Sequence, residues 1–139
     1  MIKITLITGA TSGLGKSLAK KYVENNENVL LVGRNIDKLK SVKDELSNIN
    51  KNVLIDIFAV DLSDNSRLHE IKEYTDSKQY FVNNLVNNAG FGERKDFVDM
   101  DPETQVQMTN VCCNAVVYLL NLYIKDMLNN DEGQIINVA

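Results

Sequence analysis

A doubly wound parallel α/β sheet, in strand order 3-2-1-4-5 with helices on both faces, is the fold the sequence predicts. Three observations predict the parallel sheet and its helices, and the strand order is one expected of doubly wound sheets. Short apolar runs rich in β-branched residues alternate with amphipathic stretches along the 139 residues. The first apolar run, Ile2–Ile7, empties into a turn with three glycines that opens a helix (Thr8-Gly9-Ala10-Thr11-Ser12-Gly13-Leu14-Gly15). Polar punctuation then recurs after each later strand, at Gly33-Arg34, Asp61-Leu62 and Asn88-Ala89-Gly90. Strands joined by helical crossovers run parallel, so these four features fall on one edge of the sheet.

Each element has its own signal. Ile2–Ile7 is the first strand and Gly13–Asn25 the first helix, with Leu14, Leu18, Ala19, Tyr22 and Val23 on its apolar side. Asn28–Val32 is a second strand. Ile36, Leu39, Val42, Leu46 and Ile49 recur at steps of three and four, which marks the second helix. Asn52–Val60 reads as an edge strand, because Asp56 is tolerable only there. Ser63-Asp64 caps a helix to about Thr75 with Leu68 and Ile71 inward, Lys78–Phe81 connects, and Leu85–Asn88 is the fourth strand. Asp101-Pro102-Glu103 starts a helix that runs to about Asn129. Its stretch Val111–Ile124 is apolar nearly all round, which predicts burial between the sheet and a second helix. Gly133–Ala139 supplies the fifth strand, after which the sequence stops, so the expected domain is a single one over 1–139, cut short after that strand.

Composition narrows the function classes. The formal charge is −4 with a pI near 5.0 and no basic run, which argues against nucleic acid. No uninterrupted apolar stretch reaches the roughly 18 residues of a membrane span, and the N-terminus lacks the layout of a signal peptide. Cys112 and Cys113 are adjacent in a helical pattern, so the expectation is a core role in a reducing cytoplasm. A single histidine, His69, and no Cys/His cluster give no metal signal. His69 and Lys16 read as surface groups.

The glycine turn is an anion cradle: glycine lets backbone approach a phosphate, and free N–H groups at a helix N-terminus face the charge. Two ligands compete for it. Gly15-Lys16-Ser17 resembles the end of a P-loop, with Asp61 available for magnesium, but that motif wants glycine at position 10, where Ala10 stands. The alternative is a dinucleotide in a Rossmann-type sheet. About twenty residues past such a loop, at the end of the second strand, an acid would select NAD. Here the corner is Gly33-Arg34-Asn35, with no acid before Asp37. A guanidinium suits a 2′-phosphate, so NADP is expected over NAD; otherwise Arg34 is a solvated turn residue.

Taken together, Thr8–Gly15, Asp61-Leu62, Asn87-Asn88-Ala89-Gly90 and Asn110 resemble the short-chain dehydrogenase/reductase family. The resemblance covers all 139 residues, little more than the first half of a usual member. It implies NADP-dependent hydride transfer between a carbonyl and an alcohol on a small molecule. It gives Gly9, Ser12, Gly13, Leu14 and Gly15 to the pyrophosphate and its turn, and Arg34 to cofactor selection. Asp61 and Leu62 go to the adenine, and Asn88, Ala89 and Gly90 to the ribose and the path toward the nicotinamide. Asn87 ties central strands together. Asn110 matches the asparagine whose kinked helix backbone positions a water in the family's proton relay. The family commonly dimerises through the helix that corresponds to 103–129, which makes a homo-oligomer an expectation here. Without the resemblance, Asn110 is a polar residue satisfied within a helix, and Asn87-Asn88 a strand-end turn.

The departure is at the chemical end. The family's proton transfer uses a Ser soon after the fifth strand and a Tyr-x-x-x-Lys beyond it, whose lysine lowers the tyrosine pKa. The sequence stops at Val138-Ala139, and Tyr118 and Tyr123 lie in the wrong element. The 139 residues alone are therefore expected to hold NADP(H) without turnover. A P-loop nucleotidase is the remote alternative.

Overall fold

In the computed structural model, which describes residues 1–11 and 13–139, five strands form one parallel sheet in the order β3-β2-β1-β4-β5. The strands are β1 (Ile2–Thr8), β2 (Val29–Gly33), β3 (Ile55–Ala59), β4 (Tyr80–Asn87) and β5 (Gln134–Asn137). The helices between them are α1 (Gly13–Glu24), α2 (Ile36–Ile49) and α3 (His69–Ser77), then α4 (Pro102–Thr109) and α5 (Ala115–Asn129). A π turn, Asn110–Asn114, joins α4 to α5 without a break.

Alternation along the strands feeds two cores. On one face, Ile7, Leu31 and Val86 pack with Ala19, Val23, Leu39, Val42 and Leu46 of α1 and α2. On the other, Ile4, Leu6, Val82 and Leu85 pack with Leu68, Ile71, Leu119 and Tyr123. Each such side chain, removed from water, contributes about 2 kcal/mol before entropy is subtracted.

Asn35 accepts from the Lys38 N–H at 3.0 Å and so caps α2, and Asp101 caps α4 through the Thr104 N–H at 3.3 Å, with Pro102 in the first turn. Asp64 caps a short 3-10 turn at Asn65–Arg67, so the helix expected from Ser63-Asp64 begins as α3 only at His69.

Three expectations are corrected. β4 starts at Tyr80, not Leu85, so Tyr80 and Phe81 are strand and not connection. Asn83-Asn84 interrupts the apolar run because the register slips there: Ile4 pairs with Val82 but Thr5 with Asn84, which leaves Asn83 as the extra residue of a bulge. The Asn84 amide is satisfied inside the sheet, donating to Thr5 Oγ1 at 3.0 Å and Glu27 Oε2 at 3.3 Å. Second, the long helix buries one face only: Val117 and Leu128 are 68% and 73% exposed, because no second helix among the described residues covers them. By length and composition Pro102–Asn129 is long and apolar enough to cross a membrane, yet Ala115, Leu119, Tyr123 and Met127 seat it on the sheet. Third, Cys112 and Cys113 are exposed rather than core, since they follow Val111 around the helix onto its open side.

Asp56 lies on the edge strand β3, as expected. Its Oδ2 accepts from the hydroxyls of Tyr74 (2.6 Å) and Tyr80 (2.9 Å), and its Oδ1 from the Ile57 N–H (2.9 Å). Burial acts to raise the Asp56 carboxyl pKa, but the two phenols and the backbone N–H outweigh it and hold it below the usual aspartate value.

Candidate functional site: a nucleotide cleft at the carboxyl ends of the strands

The ends of β1 to β4 open into one cleft of about 570 Å³. Gly9, Leu14, Arg34, Asp61, Leu62, Asn88, Ala89 and Gly90, separated by up to eighty residues of sequence, all line it. That places eight of the expected site residues on one surface. Ser12 lies outside the described residues. Gly13 and Gly15 do not line the cleft: they open α1, with Gly15 buried and Gly13 exposed.

The wall is built by close backbone approach. Gly9 has φ +64°, and a Cβ there would lie 2.8 Å from Ala89 Cα. A Cβ on Gly15 would lie 2.2 Å from the Gly9 carbonyl oxygen, so α1 enters against the loop with no room for a side chain. Thr8 and Asn88 lock loop to strand. Thr8 Oγ1 accepts from the N–H groups of Asn88 and Ala89, both at 3.0 Å, and Asn88 Nδ2 donates to the Thr8 and Gly9 carbonyls, both at 3.1 Å. Thr8 is buried, and its role is to spend the β4 N–H groups that would otherwise be unpaired. Asn87 is also buried: its Nδ2 donates to Asn137 Oδ1 at 2.9 Å, which ties β4 to β5, and its own Oδ1 has no partner among the described residues.

Two charged side chains line the cleft, Arg34 and Asp61. Asp61 Oδ1 accepts from the Ser63 hydroxyl (2.7 Å) and N–H (2.9 Å). These bonds, with a smaller contribution from the charges of Arg34 and Arg67, hold the Asp61 carboxyl below its usual range. Among the described residues Arg34 makes no ion pair and no hydrogen bond, which leaves its five donors to the cleft. The remaining wall comes from Gly33 beside Arg34, from Phe91, and from Thr11, Val60, Ser63, Gln107 and Val111, which sequence reasoning did not assign to the site. Gln107 and Val111 are one turn apart on the long helix, so only the helix's tertiary placement reveals them.

Asn110 is adjacent to the cleft rather than in its lining. Its Nδ2 donates to the Ser63 carbonyl at 3.1 Å, its Oδ1 accepts from Asn114 Nδ2 at 2.9 Å, and its carbonyl accepts the Ala115 N–H that closes the π turn.

A Tyr-x-x-x-Lys spacing does occur, at Tyr74–Lys78, but away from the cleft. Tyr74 bonds Asp56 at the amino end of β3, and burial together with that carboxylate pushes its hydroxyl pKa up, the wrong direction for a proton donor near neutrality. Among the described residues no group of three His, Cys, Asp or Glu side chains is placed to hold a metal.

Comparison with known proteins agrees with this geometry. The chain is 31% identical over 137 residues to an uncharacterized oxidoreductase of Staphylococcus saprophyticus, covering 99% of this chain and 58% of that protein. It is 31% identical over 141 residues to the NADP-dependent 3-hydroxy acid dehydrogenase YdfG of Salmonella typhi, covering 98% and 53%. Among solved structures, L-sorbose reductase from Gluconobacter frateurii, complexed with NADPH and L-sorbose, superposes with a TM-score of 0.88 at 25% identity, over 96% of this chain and 51% of that one. The chain thus spans about half the length of the relatives it matches. The family model for short chain dehydrogenases matches residues 3–139, and on that match, with the sheet order and the cleft, the chain belongs to the short-chain dehydrogenase family.

Proposed function

We propose that the full-length protein transfers hydride between NADP(H) and a small carbonyl/alcohol pair, and that residues 1–139 form its cofactor-holding half. The observation that carries the choice of cofactor is Arg34: a guanidinium with no partner among the described residues, at the end of β2, on a cleft whose other charge is already pinned by Ser63. The residues fit a dinucleotide. Gly9 and Gly15 let the loop close tightly against Ala89 and the start of α1, and Arg34, Asp61, Leu62, Asn88, Ala89, Gly90 and Phe91 line one cleft beside it. When bound, the nicotinamide supplies the hydride chemistry. The chain's own residues bind and orient. The Gly9–Gly15 turn, including Ser12, takes the pyrophosphate, with Leu14 packing beside it. Arg34 takes a 2′-phosphate, Asp61 and Leu62 the base, and Asn88 to Gly90 the sugar path.

Asn110 serves the proton relay in this reading through the turn its backbone makes. We assign the Ser and Tyr-x-x-x-Lys of the reaction to sequence outside residues 1–139, so this segment by itself binds NADP(H) without turnover. Family membership argues against a P-loop nucleotidase. The acidic chain is read as a cytoplasmic protein without nucleic-acid or membrane partners, and the open face of α4 and α5 as the seat of a homo-oligomer contact. Titration calorimetry of the full-length protein with NADPH and NADH tests the cofactor assignment: tighter NADPH is expected, and equal affinity or an NADH preference refutes it.

A further inference from the structure

Behind the cleft floor, the turn after β3 and the π turn of the long helix are joined by a reciprocal pair of asparagine amides. Asn65 Nδ2 donates one hydrogen to the Leu62 carbonyl (3.1 Å) and the other to the Asn110 carbonyl (3.3 Å). Asn110 Nδ2 donates in the opposite direction, to the Ser63 carbonyl. Leu62 and Ser63 line the cleft from the turn after β3, and Gln107 and Val111 line it from the long helix, so this joint is the seam between the two elements.

A π turn is rare, occurs mostly as a single turn inside an α-helix, and is frequently found at functional sites. Here the Asn110 carbonyl has two lone pairs and two donors: the Ala115 N–H within the helix and the Asn65 amide from outside it. Among the described residues Asn65 is the one side chain from another element that bonds the backbone of the turn. It is half-buried and does not line the cleft, so its bonds serve the seam and not a ligand.

We propose that Asn65 is a positioning residue, which fastens the Asn110–Asn114 turn to the Leu62–Ser63 corner so that a nucleotide seated at that corner also orders the turn. The inference rests on the cofactor reading above and adds to it a physical link between the adenosine end of the cleft and the helix that carries Asn110.

Backbone hydrogen exchange of the full-length protein, with and without saturating NADPH, tests it. In the wild type, NADPH should slow exchange of the Ala115 amide about tenfold, the effect of tightening one or two ordinary hydrogen bonds. In Asn65→Leu, which matches the shape but donates nothing, NADPH should still bind while that slowing falls below about twofold. If Asn65→Leu does not fold, Asn65→Ser, which opens the two carbonyls to water, takes its place with the same expectation. Equal NADPH-dependent protection in wild type and variant overturns the proposal, because a merely structural asparagine shifts exchange equally in both states. Absence of protection in NADPH-saturated wild type also overturns it. Failure of the wild type to bind NADPH at all overturns the cofactor reading instead.

Discussion

The two ends of the sheet both carry an aspartate, and they use it in opposite ways. At the amino end Asp56 is closed on itself, with two tyrosine hydroxyls and a backbone N–H on its carboxylate. At the carboxyl end Asp61 has one oxygen held by Ser63 and faces an open cleft beside Arg34, which has no partner among the described residues. A polar cluster whose valences are spent internally contributes stability; one with donors left over, at strand carboxyl ends, lies where open α/β sheets seat a ligand. The Tyr-x-x-x-Lys spacing at Tyr74–Lys78 belongs to the first kind, which is why its pattern does not make it chemistry.

The most severe way to break the carboxyl end is Gly15→Ala. A methyl 2.2 Å from the Gly9 carbonyl oxygen forces α1 and the loop apart. The expected loss is about 3 kcal/mol in a denaturant titration, within the range for overpacking against fixed backbone, together with loss of NADPH binding. A stability equal to wild type would show that the loop is looser than its contacts imply.

Asp56→Ala attacks the other end. It leaves two partly buried phenols without an acceptor, for about 2 kcal/mol, while NADPH affinity stays unchanged because Asp56 is outside the cleft. The pH dependence follows from the same bonds. The Asp56 carboxyl pKa is lowered on folding, so its contribution is complete above the ordinary aspartate value and is lost as pH falls through the lower, folded one. Tyr80 is pushed up to about 12, by burial first and then by Asp56, so its contribution is complete below the ordinary tyrosine value near 10 and is lost as pH rises toward 12. Melting curves across pH should lose the Asp56 acid limb in the Asp56→Ala variant and keep a smaller alkaline one, because burial, the larger cause of the Tyr80 shift, remains. An unchanged acid limb would move the titrating group elsewhere.

The smallest effect lies beside the amino end. Gln79, between α3 and β4, sits at φ +56°, where a side chain is strained. Gln79→Gly should stabilise by about 0.5 kcal/mol, read as a small rise in midpoint, with no change at the cleft. A fall in midpoint would mean the Gln79 side chain contributes more than its backbone costs.

Much of this division was legible in the residues themselves. The alternation of apolar runs and helical periods gave the parallel sheet and its flanking helices, and the punctuation after each strand gave the cleft, because both are local patterns. Where tertiary context decides, local pattern misled. Asn83-Asn84 looks like an interruption, yet a bulge and the partners Thr5 and Glu27 absorb it, so β4 starts five residues before Leu85. Val117 and Leu128 look buried by composition, but burial needs a neighbour, and the sheet covers only the opposite face of α5. Cys112 and Cys113 followed the same mistake. Gln107 and Asn65 carry no signal of their own, and Ser63 reads only as a cap; their place at the site depends on how the helix of Asn110 lies against the turn after β3.

The central claim, that the open end of the sheet is kept for NADP(H) by Arg34, is tested most directly by calorimetry on full-length wild type and Arg34→Asp with NADPH and NADH in parallel. Loss of a charge-assisted bond to the 2′-phosphate should weaken NADPH by about 30-fold, and the new carboxylate should turn the preference toward NADH, with melting temperature unchanged. An Arg34→Asp protein that still prefers NADPH as strongly as wild type would contradict the assignment.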